Sequence, residues 1–479
     1  MLQSLVQSRV YAALKLFSLF FLSLNLLMGA KSLAAGSSLR SGLQPKFQFV
    51  PQFSSFEGRE RAVHFEHVFK SQMRSLEEVE ALSPSQRQSF VTYRILPLMK
   101  YLFGPLTNRE WGGPQKNDMV VVQWSQAQLQ DGRVLLPYEY KGVWILDKEL
   151  SAQDHLTLPV PLNSDDLFTD HWKDCGDSAP EHQTASFFWY FWDPERSACD
   201  HKEGVQYRNV DVQFGIETEN QSRTYPEYSR MIVEQDGQMQ LAFTVAFGYV
   251  NDPASPNPER DADPGMFQYR YFLAAMRAKL AGFADQPVLA KEYGRTQYPE
   301  LVIGHRLIGE MKGVQVQLTI VTAAAVDQMY LFAKSFAHDH EAAFAWMGHS
   351  RVGGGFDAAT FRSIMAANPN YYSISDRYQL VYWGGCNSYS YYTLPFFSFK
   401  AEASAGADPQ GTKNLDILSH GLPSFFSLNS ANAEIFTSAI LNWESGTSYQ
   451  SIVRELELRG NRMGANLLAV VLGDEDNPR

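Results

Sequence analysis

The chain is short of several things. It has no long basic block, and 41 lysines and arginines against 52 aspartates and glutamates leave a formal charge of -11, which argues against nucleic acid or an anionic membrane surface as main partner. It has no internal repeat, phosphate-binding loop motif, dinucleotide fingerprint or extended low-complexity tract, so nothing in it calls for a nucleotide or other cofactor. Beyond the first 35 residues, no stretch is apolar enough over about 20 residues to span a bilayer. With three cysteines, at most one pair can bridge and one thiol is left over. Apolar and aromatic surface is plentiful. Hydrophobic residues make up 45% of the 479, with 23 tyrosines and 32 phenylalanines among them, which is enough to bury more than one core, and two domains are expected.

Residues 1–35 read as a cleavable export signal. Arg9 and Lys15 precede the apolar run from Leu16 to Met28, and Ser32-Leu33-Ala34 places small residues where a signal peptidase inspects. The run is shorter than the span of a membrane anchor, so the mature protein is expected in the periplasm or outside the cell, without stable membrane insertion. In such a compartment Cys175 and Cys199, close in sequence and flanked by polar loop residues, are expected disulfide partners, and Cys386 is the odd thiol. A metal site is the competing assignment for the first two, because His171, Cys175, His182, Cys199 and His201 cluster there, but their spacings match no familiar zinc module.

Residues 36–225 read as a β-rich α+β domain of unassigned role. Ser83-Pro84-Ser85-Gln86 carries a capping serine, a proline at the first helical position and a glutamine three residues after the cap, so a helix should start there. The segments 119–124 and 133–140, separated by a polar stretch ending in Asp131-Gly132, predict paired strands, and Val205 to Phe214 alternates as a half-buried strand does. The aromatic run Ser186 to Trp192 has no polar alternation, which predicts a strand buried on both faces rather than an exposed ligand platform.

From residue 226 onward strands and helices alternate. Strands are expected at 239–249 and 314–322, and helices at 266–283, 326–337, 358–367, 433–443 and 448–456. This is an α/β pattern: a mostly parallel sheet covered on both faces, with its site at the strand carboxyl ends. Two apolar runs of strand length then end in small residues and one reactive side chain. The first is Ala343 to Gly348-His349-Ser350, the second Tyr378 to Gly384-Gly385-Cys386-Asn387-Ser388. A histidine and a cysteine are thereby expected on neighbouring strand ends. The segment 251–265, rich in proline and aspartate, would overhang the same edge as a rim or lid.

This order of elements, with a strand ending in Gly348-His349 and a strand ending in Gly384-Gly385-Cys386-Asn387-Ser388, resembles the caspase-hemoglobinase fold of clan CD cysteine peptidases, the group of caspases, legumains, gingipains and CHAT-type proteases. The resemblance covers residues 226–479, and the helix from Ser448 to Leu456 resembles the closing helix of CHAT-type domains. It implies a peptide or protein substrate and a Cys/His dyad. Cys386 would attack the carbonyl as thiolate, His349 would protonate the leaving amine and then help water resolve the thioester, and no metal takes part. Backbone N–H groups around Ser350 and Cys386 would hold the oxyanion, with Gly385 and Ser388 at the pocket and Asn387 beside them. The sequence departs from the family in placing Ser350, not glycine, after the histidine; its glycines follow as Gly353-Gly354-Gly355.

Two other classes compete. Gly348-His349-Ser350-Arg351-Val352-Gly353 resembles the nucleophile elbow of α/β-hydrolases with its second glycine one position late, and Asp376 or Asp416 with His420 would complete a serine triad in the required chain order. A binding protein that keeps a peptidase-like fold without turnover is the third. His338-Asp339-His340 as a metal pair and Asn220-Gln221-Ser222 as a glycosylation sequon are weaker signals.

Overall fold

In the computed structural model the described residues are 58–473 apart from 115–118, 180–182, 219–223, 252, 254–255, 294–297, 325–330, 333, 337–340, 351–357 and 368–373. The export signal, the sequon, His182, His338, His340 and Gly353 to Gly355 lie outside them. The chain is mixed α/β and builds two sheets.

The first sheet has seven antiparallel strands: β1 (Arg59–Lys70), β2 (Gly112–Pro114), β3 (Met119–Val122), β4 (Gln128–Gln130), β5 (Arg133–Leu146), β6 (His155–Pro161) and β7 (Tyr207–Thr218). The order is β2-β5-β1-β7-β6, with β3 and β4 also on β5. Alternation does the work: Val63, Phe65 and Phe69 on β1 and Val134, Leu136, Tyr138 and Tyr140 on β5 all face one core. The turn between β4 and β5 is Asp131-Gly132, both left-handed (φ 51° and 71°), as a two-residue hairpin requires. The expected 119–124 strand pairs with β5, Val122 opposite Tyr138. Helix α1 (Pro84–Phe90) opens with the anticipated capping box between Ser83 and Gln86, and the helical turns after it, to residue 108, bury Ile95, Leu98, Met99, Leu102 and Leu106 under the sheet.

The aromatic run departs from its predicted strand. Residues Phe188–Phe191 form the single helical turn α2. Phe188 and Trp192, four residues apart, share one side and pack against Tyr101, Leu167 and Cys175. Burial was legible in the run, but a buried strand needs ladder partners on both edges, and this segment is instead seated on the helical turns that carry Tyr101 and Phe103.

The second sheet contains β8 (Val233–Gln235), β9 (Gln238–Gly248), β10 (Ala284–Leu289), β11 (Val302–Met311), β12 (Val314–Ala323), β13 (Glu341–Met347), β14 (Gln379–Trp383), β15 (Leu415–His420) and β16 (Ala469–Leu472). Its order is β10-β11-β12-β9-β13-β14-β15-β16, with β8 hairpinned onto β9. Five central strands, β12 to β15 in that order, are parallel, and antiparallel strands extend both edges. The order reverses between β9 and β13, which makes that gap the topological switch point.

Helices cover both faces. Helices α3 (Pro264–Lys279), α4 (Ala358–Ala367), α5 (Ser388–Ala403), α6 (Asn429–Leu441) and α7 (Tyr449–Arg462) follow in chain order. On one face Phe243, Val245, Ala345, Leu380 and Tyr382 share a core with α3, α6 and α7. On the other, Phe344, Trp346 and Trp383 meet Phe332, while Phe336, Phe361 of α4 and Phe396 of α5 continue the layer. Burial on both faces explains why these strands read as unbroken apolar runs.

The first sheet docks on the carboxyl edge of the second, around β14, β15 and the start of α5. Tyr389 donates to Glu60 at 2.5 Å, Gly113 sits against Gly421 O and Ser390, and the Tyr190 hydroxyl bonds Asn387 Oδ1. At the opposite end of β15, fully buried Asp416 accepts from the hydroxyls of Tyr378 (2.6 Å) and Tyr449. Burial, with Asp416 beside them, holds both phenols far above their usual range. Asp416→Ala strands both hydroxyls, so it is expected to cost about 3 kcal/mol in urea denaturation, with Asp416→Asn closer to wild type.

Candidate active site

The end of β13 is shaped by Trp346 and two glycines. A Cβ on Gly348 would lie 2.5 Å from the Trp346 ring, and one on Gly248, at the end of β9, 2.7 Å from it. Only glycine lets the two strand ends close under the indole. Trp346 Nε1 then donates to His349 O at 3.0 Å, folding the residue out of the strand. His349 is half-buried, its Nε2 3.2 Å from Val250 O and its ring edge-on to Phe426 at 4.9 Å. A carbonyl can only accept, so Nε2 is the donor of this bond.

Val250 is itself held. Its N–H and that of Asn251 donate to the Asp263 carboxylate at 3.1 and 2.9 Å, and the same carboxylate caps α3 through Gly265 N at 2.8 Å. Asp261 accepts from Tyr249 and Asn257 N, and Arg270 donates to Pro258 O and Asp261 O. The described part of the 251–265 segment is thus a pinned rim beside His349.

The end of β14 lies directly alongside. Gly384 N donates to Trp346 O at 2.8 Å, and a Cβ on Gly385 would meet Gly348 O at 3.0 Å and Ser350 N at 3.2 Å. The turn carrying Cys386 is therefore pressed against the turn carrying His349. Cys386 is half-buried and its Sγ donates to Ser424 O at 3.3 Å; burial pushes the thiol up, and hydrogen bonds from the backbone offset this in part. Cys386 touches Ser424 and His349 touches Phe426, so one segment walls both groups.

Asn387 and Ser388 brace this turn. Asn387 is fully buried with φ 47°, its N–H on Leu422 O (3.2 Å), its Nδ2 on Gly421 O (2.8 Å) and its Oδ1 accepting from Tyr190. Its side chain forms no helix cap. Ser388, expected at the pocket, is fully buried, its hydroxyl donating to Trp383 O (2.6 Å) and accepting from His420 N (2.9 Å). That hydroxyl ties β14 to β15 and is not presented to a ligand.

The serine triad does not assemble. Ser350 is 1% exposed and its Oγ has no hydrogen-bond partner among the described residues. Asp416 is engaged by two tyrosines, Asp376 is exposed ahead of β14, and His420 is fully buried with Nε2 2.9 Å from the Tyr382 hydroxyl. Burial pulls His420 down to about 3, too low to serve as a base near neutral pH.

Cys175 and Cys199 form a disulfide. His201 lies near both sulfurs, but its Nδ1 accepts from Trp192 Nε1 (3.1 Å) and its Nε2 faces Leu167 O (2.9 Å), so the ring is spent on hydrogen bonds. His171 is exposed and pairs with Asp174. The residues suit a bridge, not a zinc centre.

Sequence reasoning missed Tyr190, Val250, Asp263 and Phe426, whose partners lie far off in sequence or are backbone atoms. Comparison with known proteins brings nothing to set beside this geometry: no protein-family model, no curated protein and no solved structure matches the chain.

Two outcomes follow. Tyr190→Phe removes a buried side-chain donor to Asn387 Oδ1 and is expected to destabilise by about 1–3 kcal/mol while speeding alkylation of Cys386 several-fold, read by denaturation and peptide mass mapping. His420 has a folded-state value below its unfolded one, so the stability its neutral ring contributes is whole above pH 6.5 and is lost as pH falls toward 3. At about 1.4 kcal/mol per pH unit, denaturation of wild type should show a steeper acid loss than His420→Gln across that window.

Proposed function

We propose that the second sheet is of the caspase-hemoglobinase type and that the protein is an exported cysteine peptidase, with Cys386 as nucleophile and His349 as its acid–base partner. The observation that carries this reading is the meeting of two strand ends, Gly385 against Gly348 and Ser350, which sets both reactive side chains on one edge beside the β9/β13 switch point. The strand order β12-β9-β13-β14-β15 and the helices on both faces support the same fold.

In this reading a peptide lies along the edge with its scissile carbonyl between the two turns. The resting thiol is neutral, since burial raises it. Attack therefore needs the Cys386 proton to leave Ser424 O for the imidazole, forming the C–S bond as the sulfur loses hydrogen. The oxyanion takes hydrogen bonds from backbone N–H groups at Ser350 and Cys386, which Gly385 keeps close. Protonated His349 gives its proton to the leaving amine as the C–N bond breaks, and then takes one from the water that resolves the thioester. The Cys175–Cys199 bridge is compatible with an oxidising compartment, and no helix among the described residues is long and apolar enough to cross a membrane.

A second reading has a specific observation in its favour. Cys386 Sγ and His349 Nε2 each bond a backbone carbonyl, Ser424 O and Val250 O, which is how a peptide-binding protein that has given up turnover would hold them.

Incubation of the mature protein with a denatured protein substrate separates the two. The peptidase reading expects cleavage that disappears in Cys386→Ala and falls about 10²–10⁴-fold in His349→Ala, and alkylation of Cys386 by iodoacetamide that slows in His349→Ala. The alkylation rate in His349→Ala should keep rising past the pH at which an ordinary thiol has titrated, because burial raises this one. No cleavage, with alkylation indifferent to His349, would establish the binding reading instead.

A further inference from the structure

A second polar site lies in the amino half of the parallel sheet, away from the carboxyl edge that carries Cys386. Between the sheet face opposite α3 and the helical turn bearing Lys334 and Ser335 is a cavity of about 220 Å³, lined among others by Tyr293, Arg306, Thr319 and Glu341. That volume is several times the roughly 30 Å³ a water occupies and below the roughly 300 Å³ at which drug-sized pockets begin, so it suits a molecule of few heavy atoms.

Its lining is not satisfied. Arg306 Nε, Ser335 Oγ and Glu341 Oε2 are buried atoms without a hydrogen-bond partner among the described residues, and all three residues face this one cavity. The other atoms of these groups are in use. Arg306 Nη2 pairs with Glu292 at 3.0 Å, Glu341 Oε1 accepts from Thr244 at 2.7 Å, and Lys334 donates to Glu292 O and lies 4.6 Å over the Tyr293 ring. Burial pushes Glu341 up to about 7 and draws Lys334 below its usual value, the mark of charges of both signs that the protein only partly compensates.

The chemistry of an occupant follows from that mismatch. Leaving a buried polar atom unpaired is costly, and more so next to a charge. An anion would satisfy Arg306 and Lys334 and be repelled by Glu341 and Glu292; a cation would do the reverse; a neutral polyol could bond the orphaned atoms but would add no counter-charge to either sign. A molecule with a carboxylate and an ammonium a few ångströms apart answers both. We propose that this cavity binds a small zwitterion of the free amino-acid type, carboxylate toward Arg306 Nε and Lys334, ammonium toward Glu341 Oε2, with Ser335 Oγ as a further hydrogen-bond partner. The proposal does not depend on the peptidase reading.

Calorimetric titration of the full mature chain at pH 7.5 with the free α-amino acids one by one, their N-acetyl and amide derivatives, and glycerol tests it. At least one small amino acid should bind, with the acetylated form (no ammonium) and the amide (no carboxylate) each at least tenfold weaker. Glu341→Gln, which keeps the bond to Thr244, should weaken binding tenfold or more, and the milder Ser335→Ala several-fold, with wild-type melting for the latter. No binding at millimolar concentration, equal binding of the blocked derivatives, or glycerol competing with the amino acid would each overturn the assignment. The wild-type comparison decides even if Glu341→Gln fails to fold.

Discussion

The structure turns on the close approach of three strand ends. β9, β13 and β14 finish in Gly248, Gly348 and Gly384-Gly385, and a single Cβ at any of them would run into the Trp346 ring, Met347 or the opposing backbone. Trp346 fills the space the glycines leave, accepts Gly384 N on its own carbonyl and donates its indole N–H to His349 O. Everything at the edge is referred to this contact: the direction in which His349 leaves its strand, the seat of Cys386 beside it, and the hydrogen bond that Val250 O accepts from the imidazole. Packing of this kind is stiff, since interiors at close-packed density respond to displacement by strain and not by flow.

Around the contact the chain has arranged supports from distant parts of itself. Asp263 fixes Val250 while starting α3, Ser388 bridges β14 and β15, and Asn387 is held at a left-handed backbone angle by bonds to Gly421, Leu422 and Tyr190. The two sheets, separate in the sequence, meet at this place. A side chain whose rotamer is locked by such neighbours keeps its geometry without needing a ligand to organise it.

Strands buried on both faces announced themselves as apolar runs, so β9, β12, β13 and β14, and with them the adjacency of His349 and Cys386, were legible in the sequence. Ser83 and Gln86 marked a helix start for the same local reason. What escaped was non-local or weakly apolar. β10 carries Pro287 and is largely exposed, so it had no periodic signal. The aromatic run read as strand because burial and strand look alike over seven residues, and only the docking surface at Tyr101 and Phe103 decides for a helical turn. Ser388 and His420 carry reactive groups but are consumed by the fold, and their residue type alone could not say so. The polar cavity around Glu341 had no motif at all, because its members come from β8, β9, β11, β12, β13 and two helical turns.

The bracing of Asn387 also orders events in time. Gly421 N and Leu422 N take Leu468 O and Leu467 O, and Leu422 O in turn takes Asn387 N, while from the other side the hydroxyl of Tyr190 reaches across 197 positions of chain. The first sheet is complete within residues 59–218 and can form while the rest is still being made. The cysteine turn cannot acquire its supports until the segment that leads into β16 arrives. The surround of Cys386 is thus closed from both sides of the sequence, and it is finished only once the first sheet and the segment leading into β16 have both come together on this turn.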